Sequence, residues 1–145
     1  MSHHSRILAP LLLTGLLGLP GGVAALPDWP ALAGVREVDV RTRDADGDAR
    51  EVVVWLAVLD GTPFMRAGGM SVWGRNALRE GRLVLRAWGV EYPLRVEAVE
   101  DEATRERVLA SFREKYGWQD AMLDWMRGSQ PPILQLSSPT SQEHP

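Results

Sequence analysis

From Arg36 the chain alternates. In "REVDVRTR", Arg36 to Arg43, Val38, Val40 and Thr42 share one face while Glu37, Asp39 and Arg41 share the other. That is the period of a half-buried strand. "DADGDA" follows with the Asp46-Gly47 hairpin signal. Then "EVVVWLAVL", Glu51 to Leu59, is β-branched and almost unbroken. It reads as a central strand covered on both faces. Asp60-Gly61 is a second hairpin signal and "PFMRA" a third strand.

After two glycines the period changes. "SVWGRNALRE" reads as a short helix capped by Ser71 and ended by Gly81, with Trp73, Ala77 and Leu78 inward. "RLVLRAW" is a fourth strand. "GVEYPLRVEAVED" is a fifth that alternates at Leu94, Val96 and Ala98, and Pro93 points to a start at an edge. "DEATRERVLASFREKYG" carries a start at Asp101, an apolar stripe of Val108, Leu109 and Phe112, and a stop at Gly117. "WQDAMLDWMRG" continues helically, with Met122, Trp125 and Met126 on one side. "PPILQLSS" is a last strand before a polar tail over residues 138–145. Hairpin-linked strands favour an antiparallel sheet, and short, numerous strands avoid bare edges best by closing into a barrel. The expected fold is therefore α+β, mainly β: a six-stranded antiparallel barrel with a short helix after strand three and a C-terminal helical pair.

The first residues change the picture of where the chain goes. Met1 to Ala25 begins polar with Arg6, runs apolar from Ile7 to Leu19, then turns to Pro20, glycines and small residues. That order predicts an export signal cleaved near Ala25 and a periplasmic or secreted protein, with a linker over residues 26–35 and the barrel domain over 36–137. A retained anchor is the alternative, weakened by Pro10, Gly15 and Gly18 and by a run short of the ~20 residues a span needs. With neither cysteine nor paired arginines in the leader, lipid attachment and twin-arginine export are excluded, so the chain is expected to cross unfolded.

The whole chain of 145 residues suits one domain. Without Arg6 the basic residues number 15 of the original 16, against 19 acidic ones. Nucleic acid is thus not an expected partner, nor is a membrane once the signal is gone. No disulfide frame is available without cysteine. The histidines are His3, His4 and His144, at the two ends, which leaves no imidazole for a metal or a triad in the domain. Asp44, Asp46 and Asp48 alternate, but the sixth and twelfth positions of a calcium loop would fall on Ala49 and Trp55 rather than glycine and glutamate. Chemistry borrowed from a cofactor is the enzyme class that survives.

The strongest lead is "FMRAGGMSVWGRNAL", Phe64 to Leu78. Arg66 closes a strand, Gly68-Gly69 permits close backbone approach, and Arg75 and Asn76 sit in the first turns of a helix, where N–H groups attract anions. Trp73 is suited either to stacking on a planar ring or to the core. The stretch fits an anion cradle or a plain turn.

The ordered pattern of a strand, a "DG" turn, a strand, the "WGRNAL" helix start, a strand pair and an acidic helix ending in "KYG" resembles the split-barrel flavin-binding proteins. It is most similar to a family of unknown function related to the deazaflavin-dependent nitroreductases. The likeness covers roughly Arg36 to Ser137, and its specificity lies in the order of elements rather than in any one motif. The resemblance implies a homodimer with FMN or a deazaflavin where the subunits meet, its phosphate near Arg66, Gly68, Gly69, Trp73, Arg75 and Asn76, and Trp55 facing the ring. It also implies a reductase of quinone-like or nitro compounds. Two other readings stay open: an exported module binding a small planar or anionic ligand without chemistry, and a structural homodimer.

Overall fold

A computed structural model describes residues 26–68, 71–117 and 131–139. Its elements in chain order are α1 (Trp29–Leu32), β1 (Glu37–Arg43), β2 (Ala49–Leu59), β3 (Thr62–Arg66), α2 (Val72–Glu80), β4 (Arg82–Ala87), β5 (Val90–Ala98), α3 (Glu102–Tyr116) and β6 (Ile133–Ser137). The strands close into one barrel in the order β1-β2-β3-β6-β5-β4, every pair antiparallel. This is the expected α+β split barrel, with the short helix after the third strand. The second helix of the expected pair, residues 118–128 with Trp118 and Trp125, lies outside the described residues. So do Met1 to Ala25 and residues 140–145.

Period two sorts the side chains into two cores. Val38, Val40, Val54, Leu56, Met65, Leu85, Leu94, Val96 and Leu136 point into the barrel, and Trp73 and Ala77 of α2 join them there. On the outside, Ala57, Phe64 and Ile133 are covered by Val108, Leu109, Phe112 and Tyr116 of α3. Helix α3 is well terminated: Asp101 accepts from the Thr104 amide at 2.9 Å and from the Thr104 hydroxyl at 2.6 Å. Arg113 and Lys115 in its last turn complement the helix dipole.

Four local expectations change. The span read as a linker contains α1, whose Leu32 is fully buried in the barrel core. β2 is covered on both faces only in its second half, and Val53 stands 61 % exposed. Apolar continuity marks a strand but not how far a packing helix reaches along it. Leu78 faces outward rather than inward. Pro93 lies inside β5, not at its start; the β6 ladder begins at Arg95, so Pro93 has a strand partner on the β4 side only, which suits a residue without an N–H.

Candidate functional site

The stretch from Phe64 to Leu78 divides between the two cores. In β3, Met65 enters the barrel while Phe64 lies outside beneath α3; Arg66 shares the outer face of Phe64 by the strand's alternation. The Arg66 guanidinium sits 5.3 Å from the centre of the Phe112 ring. The chain then turns: the Ser71 amide donates to the Gly68 carbonyl at 2.8 Å. Gly69 lies outside the described residues. Ser71 occupies the cap position of α2, but its hydroxyl makes no cap bond and is buried. A Cβ at Gly74 would lie 2.4 Å from the Ala67 Cβ and 2.8 Å from the Ser71 Oγ. The helix therefore presses onto the end of β3 through a glycine.

Past this contact, α2 serves the barrel. Trp73 is buried in the interior core. Asn76, 3 % exposed, is a latch: its amide nitrogen donates to Asp44 Oδ1 at 2.8 Å and to the Thr42 hydroxyl at 3.4 Å, and its oxygen accepts from Arg79 at 3.1 Å. Asp44 also takes two bonds from Arg50. The Arg50 bonds, and then that of Asn76, hold its carboxyl below the usual carboxylate value. Arg75 is exposed on α2. Of the residues expected to meet at one phosphate, Trp73 and Asn76 are thus engaged inside the protein, Arg75 is at the surface and Gly68 is in the turn.

Arg66 and Trp55 both lie on the outer face against α3, Arg66 over Phe112 and Trp55 on Tyr116. The Trp55 and Tyr116 rings stack at 4.1 Å, nearly parallel, and Phe112 continues the row 5.8 Å from Tyr116. The Tyr116 hydroxyl donates to the Arg36 carbonyl at 2.6 Å and accepts from the Leu56 amide at 3.0 Å. Burial pushes this phenol above its ordinary value, although the Leu56 bond and the nearby Arg36 and Arg66 pull the other way. Arg36 and Lys115 flank the same ring at 5.1 and 5.3 Å, and Lys115 donates to the Leu56 carbonyl. Burial lowers the Lys115 pKa, and repulsion from Arg36 lowers it further. An aromatic row with three cations around it can take a flat ring that carries negative charge. Tyr116, Phe112, Arg36 and Lys115 were not singled out from the sequence as site residues. The one available signal was that Lys115 is the single lysine of the chain.

Residues 30–132, from α1 to the threshold of β6, match the family described as "Uncharacterized protein conserved in bacteria (DUF2255)". The chain belongs to this family. Among solved structures this member of DUF2255 is similar to the conserved hypothetical protein Rv2991 from Mycobacterium tuberculosis, with a TM-score of 0.58 and 18% identity over 81% of this chain and 84% of that one. It is similar to an F420-H2 dependent reductase (TM-score 0.58, 19% identity, 71% and 95% of the two chains). It is also similar to HutZ, the heme storage protein from Vibrio cholerae (TM-score 0.58, 13% identity, 73% and 83%). These likenesses establish the split-barrel flavin-binding-like fold; at such identities they carry the fold and no activity. No curated protein sequence matches the chain.

Proposed function

We propose that the protein binds a planar, anionic cofactor of the FMN or deazaflavin class on the Trp55–Tyr116 shelf and uses it to reduce a quinone-like or nitro compound. The observation that carries this reading is the aromatic pair stacked at 4.1 Å, with Arg36 and Lys115 over its Tyr116 ring and Arg66 over the neighbouring Phe112. The fit to such a cofactor is partial. Trp55 offers a partly exposed ring face and the cations offer charge, whereas Trp73 and Asn76 are engaged elsewhere. The cofactor, when bound, supplies the hydride; the chain's own residues hold its ring and its charge. The fold shared with an F420-H2 dependent reductase supports the class of cofactor. A second reading, a ligand-binding protein without turnover, is supported by the likeness, at the same TM-score, to a heme storage protein.

Titration of the purified protein with FMN and with a deazaflavin tests the proposal. Binding in the micromolar range and a loss of roughly ten-fold or more in Arg66→Ala are expected, since a charge-assisted bond contributes about 1.5–3 kcal/mol. Binding without turnover of any quinone or nitro acceptor selects the second reading. No spectral change with either cofactor refutes the first. Export and homodimerisation belong to the same proposal. N-terminal sequencing should find a start near Leu26, and sedimentation at micromolar concentration should find a dimer. Met1 intact in a soluble cytoplasmic fraction, or a clean monomer, speaks against each in turn.

A further inference from the structure

The turn between β4 and β5 is Trp88-Gly89, with φ of +50° and +75°. Two consecutive left-handed residues make the tight hairpin turn that ordinarily takes Asn-Gly or Asp-Gly. The β2–β3 turn shows the same geometry with the ordinary pair, Asp60 at +50° and Gly61 at +76°. A tryptophan held in this region is strained. Burial does not account for its presence, since Trp88 is 60 % exposed. Strain at an exposed aromatic residue calls for a role outside the fold.

Trp88 lines an open cleft of about 370 Å³ between the α1–β1 segment and the end of β4. Leu32, Val35 and Val53 give the cleft an apolar lining, and Glu37 and Asp39, two apart on β1, give it negative charge. Arg86 also lines it, but its guanidinium already donates to Glu51 and Glu91, each at 3.1 Å. The cleft thus combines an exposed indole, an apolar wall and two carboxylates. The volume lies at the lower end of the range of about 300–1,000 Å³ typical of small-molecule sites.

We propose that this cleft binds a small organic cation, its apolar or aromatic body against Trp88 and Val53 and its ammonium group beside Glu37 and Asp39. An indole face attracts a cation through its quadrupole, and the carboxylates select its charge. The inference does not rest on the cofactor reading. The cleft nevertheless adjoins that shelf, because Glu37 pairs with Trp55 across the β1–β2 ladder.

The full chain titrated with phenethylammonium, followed by calorimetry and by the indole N–H resonance of Trp88, tests the site. Saturable binding with a Kd of about 1 mM or tighter is expected. Trp88→Asn and the double variant Glu37→Gln, Asp39→Asn should each weaken it ten-fold or more. Trp88→Asn should melt within about 5 °C of the parent, because asparagine is at home in the left-handed region. The matched anion 3-phenylpropionate should not compete. The proposal is overturned by absence of saturation at about 10 mM, by equal binding of the anion, or by variants that bind as the parent does. It is equally overturned if the Trp88 resonance responds to protein concentration but not to the cation, which would make the face a contact between two copies of the chain.

Discussion

Asn76 separates the two roles that the Phe64–Leu78 stretch can play, so its removal is the most informative single perturbation. The family resemblance places it at a cofactor phosphate; in the structure it ties α2 to the end of β1 through Asp44 and Thr42 and receives a bond from Arg79. Asn76→Ala deletes all three. The 2.8 Å bond goes to a carboxylate and the bond from Arg79 comes from a guanidinium, and such bonds contribute about 1.5–3 kcal/mol each when buried. Arg79 is partly exposed and keeps its bond to the Arg43 carbonyl, which reduces its share. The 3.4 Å contact to Thr42 adds little. A loss of about 3 kcal/mol is expected, which for a domain of this size lowers the melting midpoint by roughly 10–15 °C. Asn76→Asp keeps the shape but turns the donor into a second carboxylate against Asp44, so at neutral pH it should melt no higher than Asn76→Ala. Arg75→Ala, one residue away and exposed, should stay within about 0.5 kcal/mol of the parent. Thermal and urea unfolding followed by circular dichroism, beside a flavin titration of each variant, reads all of this. If Asn76→Ala melts within about 3 °C of the parent and has lost flavin affinity, the latch is wrong and the cradle stands.

Three further outcomes follow from the same packing. Gly74→Ala, which in a free helix would gain up to about 1 kcal/mol, should instead cost about 1–3 kcal/mol by thermal melting, because the new Cβ meets Ala67 at 2.4 Å; a stabilised variant would show that α2 can shift off β3. Tyr116→Phe should cost about 1–3 kcal/mol, since it leaves the Leu56 amide and the Arg36 carbonyl without the hydroxyl; an unchanged urea midpoint would mean that both groups find other partners. Glu91 is held at about 2, chiefly by its bonds from Arg41 and then Arg86. Its folded pKa lies below its unfolded one, so its contribution is full above about pH 4.5 and is lost as pH falls toward 2. Glu91→Gln should therefore flatten the fall in melting midpoint across that window, and an unchanged acid slope would remove Glu91 from the account.

The sequence determined what depends on near neighbours. The alternation of Val38, Val40 and Thr42 set the face of β1, Asp60-Gly61 set a turn, and Asp101 with the Val108–Phe112 stripe set the start and buried side of α3. The ordered series of these elements was enough to identify the barrel. The tertiary structure decided whatever depends on contacts between residues far apart in the chain. Val53 and Ala57 lie in one apolar run and by period two face the same way, yet α3 covers only the second. Asn76 meets Asp44 from 32 positions away and Tyr116 meets Leu56 from 60. Trp73 and Trp55 carry the same ring, but one is in the barrel core and the other on the outer shelf. The physical reason is that a side chain's strand or helix preference is fixed within a few residues, whereas its partner is fixed by the register in which the barrel closes. A one-residue slip of that register would turn Val53, Trp55 and Ala57 of β2 to the opposite face.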